Sequence, residues 1–403
     1  MPKQIKDPVH GYIEVPTPLL PLLDTEAVQR LHHIKQLGFV YLVYPGANHT
    51  RFEHSLGAMH LASLLAKQLE LDKDDTLLVC TAALLHDTGH GPYSHASEKL
   101  RAEYGPFSHD NIRPLLATPE IAEILEENGT SPDEVADIVA GNHKLAEIIH
   151  GDLDVDRMDY LQRDAHYTGV PYGTLDAGRL IQSLILTDDG LAIKESGISA
   201  AESLLIARTL MGPSVYFHHV GRIAEEMFLT AGRSHFAGTS PEPFMKMDDV
   251  TGTAMLLNST STVSKEMMKR IWKRDLYKRA VYAGRELVDM NRLSSLRPDD
   301  KKRIRRAIAE TADVPEEKII LDIPPLRKEM HMNVQVQNQH DLVAFEEIIP
   351  LLPMMNATRQ GQWRLGIYAP SEILEKVSDA SREVLSIRRA TKQNKLPGII
   401  IEK

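Results

Sequence analysis

The chain has 403 residues, 42% of them hydrophobic and 25% charged, and a net charge of −10. That composition excludes a disordered or fibrous chain, and its acidic balance disfavours a general nucleic-acid binder. At about 150 residues per domain the length predicts two or three domains, or one large domain with an appendage, with a core large enough to need no disulfide staples.

The start, MPKQIKDPVHGYIEV, reads as extended and has no apolar leader; no apolar run approaches a membrane span. With Cys80 as the single cysteine, the expectation is a cytosolic protein that does not enter a membrane. Asp24 is placed to cap a helix, TEAVQRLHHIKQL, that Gly38 ends. A loop with Pro45 and Gly46 follows, then a helix over about Phe52–Leu69 and a third from about Asp74 to His86. The third contains TLLVCTAALL and is expected to be buried on all sides. DTGHGPYSH breaks it with Gly89, Gly91 and Pro92. Ser131-Pro132-Asp133-Glu134 reads as a capping box that opens another helix, ending near Gly141. LDVDRMDYLQRDAHY reads as a helix, and LILTDDGLAIKES as a hairpin turning at Asp-Gly. Helices are expected from Ala200 to Leu229 and again between Ser264 and Ala309, with a loop or boundary at GRSHFAGTSPEPF. MNVQVQN and QWRLGIYAP alternate like strands, and SEILEKVSDASREVLSI reads as a helix capped by Ser371. The expected class is mostly α, divided into a helical catalytic core (1–235), a helical extension (236–310) and a small α+β C-terminal lobe (311–403).

Of 18 histidines, thirteen fall within the first 166 residues, which points to metal or acid–base chemistry there. His86-Asp87 ends a buried apolar helix, where an imidazole and a carboxylate are costly unless paired. A divalent cation shared with His54 and Asp156 would pair them. Two imidazoles and two carboxylates suit Mn, Fe, Ni, Zn or Co better than Ca, with Mg arriving on substrate. Such a metal polarises phosphoryl oxygens.

RFEHS, AALLHDTGHGPYSH and LDVDRMDYLQRDAHY, in that order, resemble the HD-domain phosphohydrolases. KDPVHGYIEV, IKQLGFVYLVYPGANHTRFEHSLG and YFHHVGRIAEEMF extend the likeness to the deoxynucleoside triphosphate triphosphohydrolase branch, over a little more than half of the chain. The resemblance implies a helical HD core in which His54, His86, Asp87 and Asp156 hold the metal. It implies hydrolysis at the α-phosphate, giving a deoxynucleoside and inorganic triphosphate. Arg51, Arg157 and Arg208 are the expected phosphate contacts. His95 with Glu98 is the expected proton carrier, and His90 and His109 match further active-site histidines. Gln36, Tyr160, Asp164 and Tyr216 match positions around the deoxyribose and base. Lys3, Asp24, Gln29 and His32 match an inter-subunit site for a GTP or dGTP activator in homo-oligomeric members.

The pattern is broken at three places. Arg157 stands where many members have lysine, His32 replaces an arginine, and Gly212-Pro213 replaces a histidine. These departures keep two alternatives open: an HD phosphohydrolase for another nucleotide or phosphoester, and a nucleic-acid-binding protein with a vestigial site. The basic runs 265–279 and 301–306 read as solvated helix faces, a polyphosphate-binding interface or a single-strand contact.

Overall fold

The computed structural model describes residues 2–294, 296–326, 328–338 and 341–388. The chain forms two compact units, Met1–Lys269 with His331–Leu352, and Arg270–Met330 with Pro353–Lys403. No helix among the described residues is long and apolar enough to cross a membrane.

The first unit is mostly helical. The Arg51–Gln68 helix begins where Thr50 is extended and its backbone N–H donates to Glu53 Oε2 at 2.6 Å. The Lys73–Leu85 helix is capped by Asp72, whose Oδ1 accepts from Asp75 N at 2.8 Å, and every residue from Leu78 to Leu85 is buried. Asp154 caps the Val155–Thr168 helix, and Gly169 closes it in the left-handed conformation at φ 74°. The first of these helices packs on each of the other two; it carries Arg51 and His54, and the third carries Asp156, Arg157, Tyr160 and Asp164. Ser131 caps Pro132–Val139 by accepting from Glu134 N at 3.4 Å, the one-sided half of the expected capping box.

Strands β1 (Lys3–Asp7) and β2 (Gly11–Val15) form an antiparallel hairpin at the N-terminus. Strands β3 (Leu184–Thr187) and β4 (Gly190–Lys194) form the expected hairpin, but it turns at Asp188-Asp189, with Gly190 already paired to Thr187, rather than at Asp-Gly. In the second unit, β5 (Lys278–Gly284) and β6 (Ile320–Asp322) flank the later strand β9 (Arg364–Ala369), all antiparallel. The MNVQVQN segment supplies β7 (Gln335–Gln337), which pairs parallel to β4 and antiparallel to β8 (Leu342–Ala344).

Four expectations change. The helix expected over 25–37 is α-helical only at Glu26–Gln29, tightens to 3₁₀ over Arg30–His33 and is extended at Ile34. The backbone there pairs with the segment entering the next helix: Arg51 N donates to Ile34 O at 2.9 Å and Gln36 N to His49 O at 3.1 Å. Tertiary pairing thus outweighs local helix propensity. Asp24 caps nothing; it ends the preceding Leu20–Leu23 turn, and Thr25 is the extended residue before the helix. Ser371 lies inside a 3₁₀ turn, Ser371–Ile373, ahead of the Leu374–Val384 helix, and makes no cap. The all-helical stretch expected between Ser264 and Ala309 is interrupted by β5.

The units also fall elsewhere than at 235/236 and 310/311. Strand β5 and the Pro298–Ala312 helix share a core with β9 and the Leu374–Val384 helix, through Val281, Ile308, Ile367 and Val377. The segment holding β7 and β8 belongs instead to the first unit. Residues 389–403 of the expected C-terminal lobe lie outside the described residues.

Candidate active site

His54 is fully buried on the Arg51–Gln68 helix. Its Nδ1 meets Asp159 Oδ2 at 2.7 Å, and its Nε2 faces Asp156 Oδ1 at 2.9 Å and Asp87 Oδ2 at 3.8 Å. His86 donates from Nδ1 to the carbonyl of Ala83 at 2.7 Å. A carbonyl only accepts, so in the neutral ring Nε2 carries the lone pair. That buried Nε2 has no hydrogen-bond partner among the described residues, yet it faces Asp87 Oδ1 at 3.4 Å and Asp156 Oδ1 at 3.7 Å. A lone pair aimed at two carboxylate oxygens calls for a cation between them. The donor set therefore fits a divalent metal, and ligand atoms of His54, His86 and Asp87 lie within 4.8 Å of one another. Burial opposes a charged His54, but its bonds to Asp156 and Asp159 push the imidazole up to about 10. A proton there reports the same demand for positive charge. Asp87, despite burial, is held well below the usual carboxylate range by Arg51 and the neighbouring imidazoles.

Arg51 is buried, pairs with Asp87 Oδ2 at 2.7 Å and donates from Nε to Ser94 Oγ at 2.7 Å. Ser94 and Tyr93 have φ of 53° and 58°, in the left-handed region. This strained turn is braced from elsewhere in the first unit. Asp249 accepts from Tyr93 N at 2.6 Å and from Lys35 N at 3.0 Å, and burial pushes its carboxyl up to about 6.

The turn launches the His95–Ala102 helix. Glu98 on it meets His90 Nδ1 at 2.7 Å, His109 Nδ1 at 3.0 Å and His95 Nδ1 at 3.4 Å. Burial opposes its charge, but these imidazoles hold it far below the normal range. His90 stacks on His109 with centroids 3.9 Å apart, and its Nε2 faces Asp87 Oδ1 at 3.3 Å. Burial, then the charges of Arg51 and His109, push His90 down to about 4. His95 is 67% exposed, so of the three imidazoles on Glu98 it is the most open to solvent; His109 is partly exposed and His90 is buried. The expected proton carrier, His95 with Glu98, and the further expected active-site histidines, His90 and His109, are therefore brought together.

The other candidates are distributed around this centre. Tyr160 meets His54 and Tyr216 edge-on, with centroids 6.4 and 6.2 Å away. Asp164 is buried, with Oδ1 on His49 Nε2 at 2.8 Å and Oδ2 accepting from Tyr216 OH at 2.8 Å. Gln36 leaves Oε1 buried without a hydrogen-bond partner among the described residues. Arg208 is half-buried near Tyr160 and makes no ion pair among the described residues. Arg157 is committed to Asp154 and to the carbonyl of Gly151. Gly212, where the family resemblance breaks, opens a π-helical turn, Gly212–Tyr216, that ends at Tyr216.

The expected activator residues are less gathered. Lys3 is exposed on β1 and Asp24 is exposed beside the short helix. Gln29 turns its Nε2 back to Leu23 O at 2.6 Å, and His32 stacks on Phe52 at 3.6 Å. Burial, then His33, lowers the His32 pKa, so it does not supply the charge of the arginine it replaces.

Sequence reasoning passed over Asp159, His49 and Asp249. Asp159 lies one helical turn after Asp156, a spacing that puts both on one face. Asp249 carries no such signal, since its role comes from a contact more than 150 residues away.

Residues 51–164 match the HD domain family model, and residues 175–396 match that of the HD associated region. An uncharacterized protein from Methanocaldococcus jannaschii is 32% identical across 99% of this chain and 87% of its own length. The deoxynucleoside triphosphate triphosphohydrolase SAMHD1 of Gallus gallus is 30% identical across 68% of this chain, which spans 55% of that protein. Among solved structures, a hypothetical protein from Aquifex aeolicus aligns with a TM-score of 0.77 at 30% identity, covering 94% of this chain and 100% of that one. A phosphohydrolase from Bacteroides thetaiotaomicron aligns with a TM-score of 0.71 at 26% identity, covering 91% of this chain and 99% of that one. Two matched regions that together take in most of the chain place this protein in the HD-domain phosphohydrolase family.

Proposed function

We propose that the protein hydrolyses deoxynucleoside triphosphates to a deoxynucleoside and inorganic triphosphate. The observation that carries the reading is the convergence of buried His54, His86 and Asp87 with half-buried Asp156, the orphaned Nε2 of His86 facing two carboxylates. Those four residues would hold one divalent metal. When bound, such a metal supplies Lewis acidity at a phosphoryl oxygen. The named activity of the SAMHD1 relatives supports the choice of substrate.

In this reading Arg208, half-buried and without a carboxylate partner among the described residues, takes the distal phosphates. Arg51 lies against Asp87 and offers its remaining guanidinium face to the phosphate nearest the metal. Water adds to the α-phosphorus; Glu98 stays ionised and orients His95, which protonates the 5′ oxygen as its bond to phosphorus breaks and regains a proton from that water. His90 and His109 keep Glu98 in place. Tyr160 and Tyr216 pack on the deoxyribose; Asp164 anchors Tyr216, and Gln36 offers its unpartnered carbonyl oxygen. A sugar packed that closely leaves no space for a 2′-hydroxyl.

Lys3, Asp24, Gln29 and His32 are proposed to receive a GTP or dGTP activator in a homodimer or tetramer. A second reading, another nucleotide or phosphoester, is favoured by one observation: Arg157 is spent on Asp154. The test is product identification with each dNTP and Mg²⁺, Mn²⁺ or Co²⁺, with and without GTP. Deoxynucleoside plus triphosphate is expected, with a lag that GTP removes. Intact dNTPs alongside turnover of a monophosphate or cyclic nucleotide would establish the second reading instead.

A further inference from the structure

Behind His54, on the side away from Asp156, lies a buried polar chain that no step above uses. Asp159 is fully buried. It accepts from His54 Nδ1 at 2.7 Å, meets His10 Nε2 at 2.6 Å, and accepts from Arg163 Nε and NH2 at 2.9 Å each. Arg163, also fully buried, passes its NH1 to Asp7 Oδ2 at 2.8 Å. The other oxygen of Asp7 accepts from the backbone N–H groups of Val9 and His10, both at 2.8 Å, and so shapes the turn between β1 and β2. One more feature shows that this chain was given space. A Cβ on Gly57, three residues after His54 on the same helix, would overlap the Asp159 carboxylate and the Arg163 guanidinium. Glycine is what lets the carboxylate reach the helix there.

We propose that Asp159 is the positioning residue of the metal ligand His54, and that the turn carrying Asp7 and His10 is a built part of the metal centre. The proposal rests on the metal reading given above. A carboxylate on Nδ1–H fixes the tautomer, points the Nε2 lone pair at Asp156 and Asp87, and makes that nitrogen a better ligand. Arg163 and His10 hold the carboxylate from its other sides, so the ring orientation is set by the N-terminal hairpin as well as by its own helix. A change at the hairpin is thereby felt as a change in metal affinity.

The experiment titrates Co²⁺ into metal-free full-length protein, following the visible Co²⁺ band, for wild type, Asp159→Asn, Gly57→Ala and His10→Gln. Asp159→Asn is expected to weaken Co²⁺ binding about 10- to 100-fold and to shift the band. Gly57→Ala should act in the same direction without removing any polar group, and His10→Gln should cause a smaller loss. Circular dichroism checks folding. If Asp159→Asn does not fold, Gly57→Ala and His10→Gln carry the test. Wild-type affinity and spectrum in any folded variant at Gly57 or Asp159 would overturn the positioning role; in His10→Gln they would overturn the link to the hairpin. Failure of the wild type itself to bind Co²⁺, Mn²⁺ or Zn²⁺ would instead sink the metal reading and this proposal with it.

Discussion

Asp87 answers to four cationic or metal-seeking groups at once: Arg51 at 2.7 Å, His90 at 3.3 Å, His86 at 3.4 Å and His54 at 3.8 Å. Asp87→Ala is therefore expected to abolish both bound metal and turnover, measured by elemental analysis and product assay. It also strands the buried Arg51 charge, which costs roughly 3–5 kcal/mol of stability in a denaturant titration. His95 behaves differently because it is 67% exposed. His95→Ala should leave folding and KM nearly unchanged and lower kcat about 10²- to 10⁴-fold; an unchanged kcat would remove its proton-transfer role. Residue identities at this scale were largely legible in the sequence. A histidine or carboxylate at the end of TLLVCTAALL announces its cost locally, and the HD pattern extends that announcement to His54 and Asp156. Asp159 was passed over because a carboxylate on a helix has an ordinary solvated explanation; its burial and its contacts with His54, His10 and Arg163 show that it points inward.

Local elements met their sequence signals where capping was local and missed them where the backbone bonds to a distant segment. The Ser131 cap was legible, whereas the helix expected over 25–37 gives way to pairing with residues 49–51. The strained turn at Tyr93-Ser94 is held the same way, by Asp249. This brace has a pH signature. An acid whose folded pKa is raised binds its proton more tightly when folded, so its contribution is greatest below the unfolded value and is lost as pH rises through the folded one. For Asp249 that window runs from 3.8 to about 6. Relative to Asp249→Asn, the wild type should lose up to about 3 kcal/mol of stability across it, read as the difference between urea-unfolding free energies at successive pH values. A flat difference would show that Asp249 does not titrate in this window.

At the scale of the whole molecule, one of the two basic runs pairs its cations with groups close by in the fold. In the 301–306 run, Lys301 donates to Ile323 O at 3.0 Å and Lys302 lies 3.6 Å from Asp299. Arg303 meets Asp300, and Arg305 and Arg306 share Glu316. With the 301–306 cations paired on the surface and a net charge of −10, the protein is expected to give no salt-sensitive gel shift with single-stranded DNA at low ionic strength. Fold class was legible from helical periodicity, but the division into units was not, because strands far apart in sequence share one sheet. Strand β9 sits between β5 and β6 although it is made after both. During synthesis, two strand edges therefore emerge more than forty residues before the strand that covers them both. Until residues 364–369 leave the ribosome, the second unit exposes unpaired backbone and cannot close its core. Its folding therefore waits for β9, and the interval before β9 arrives is when aggregation would begin.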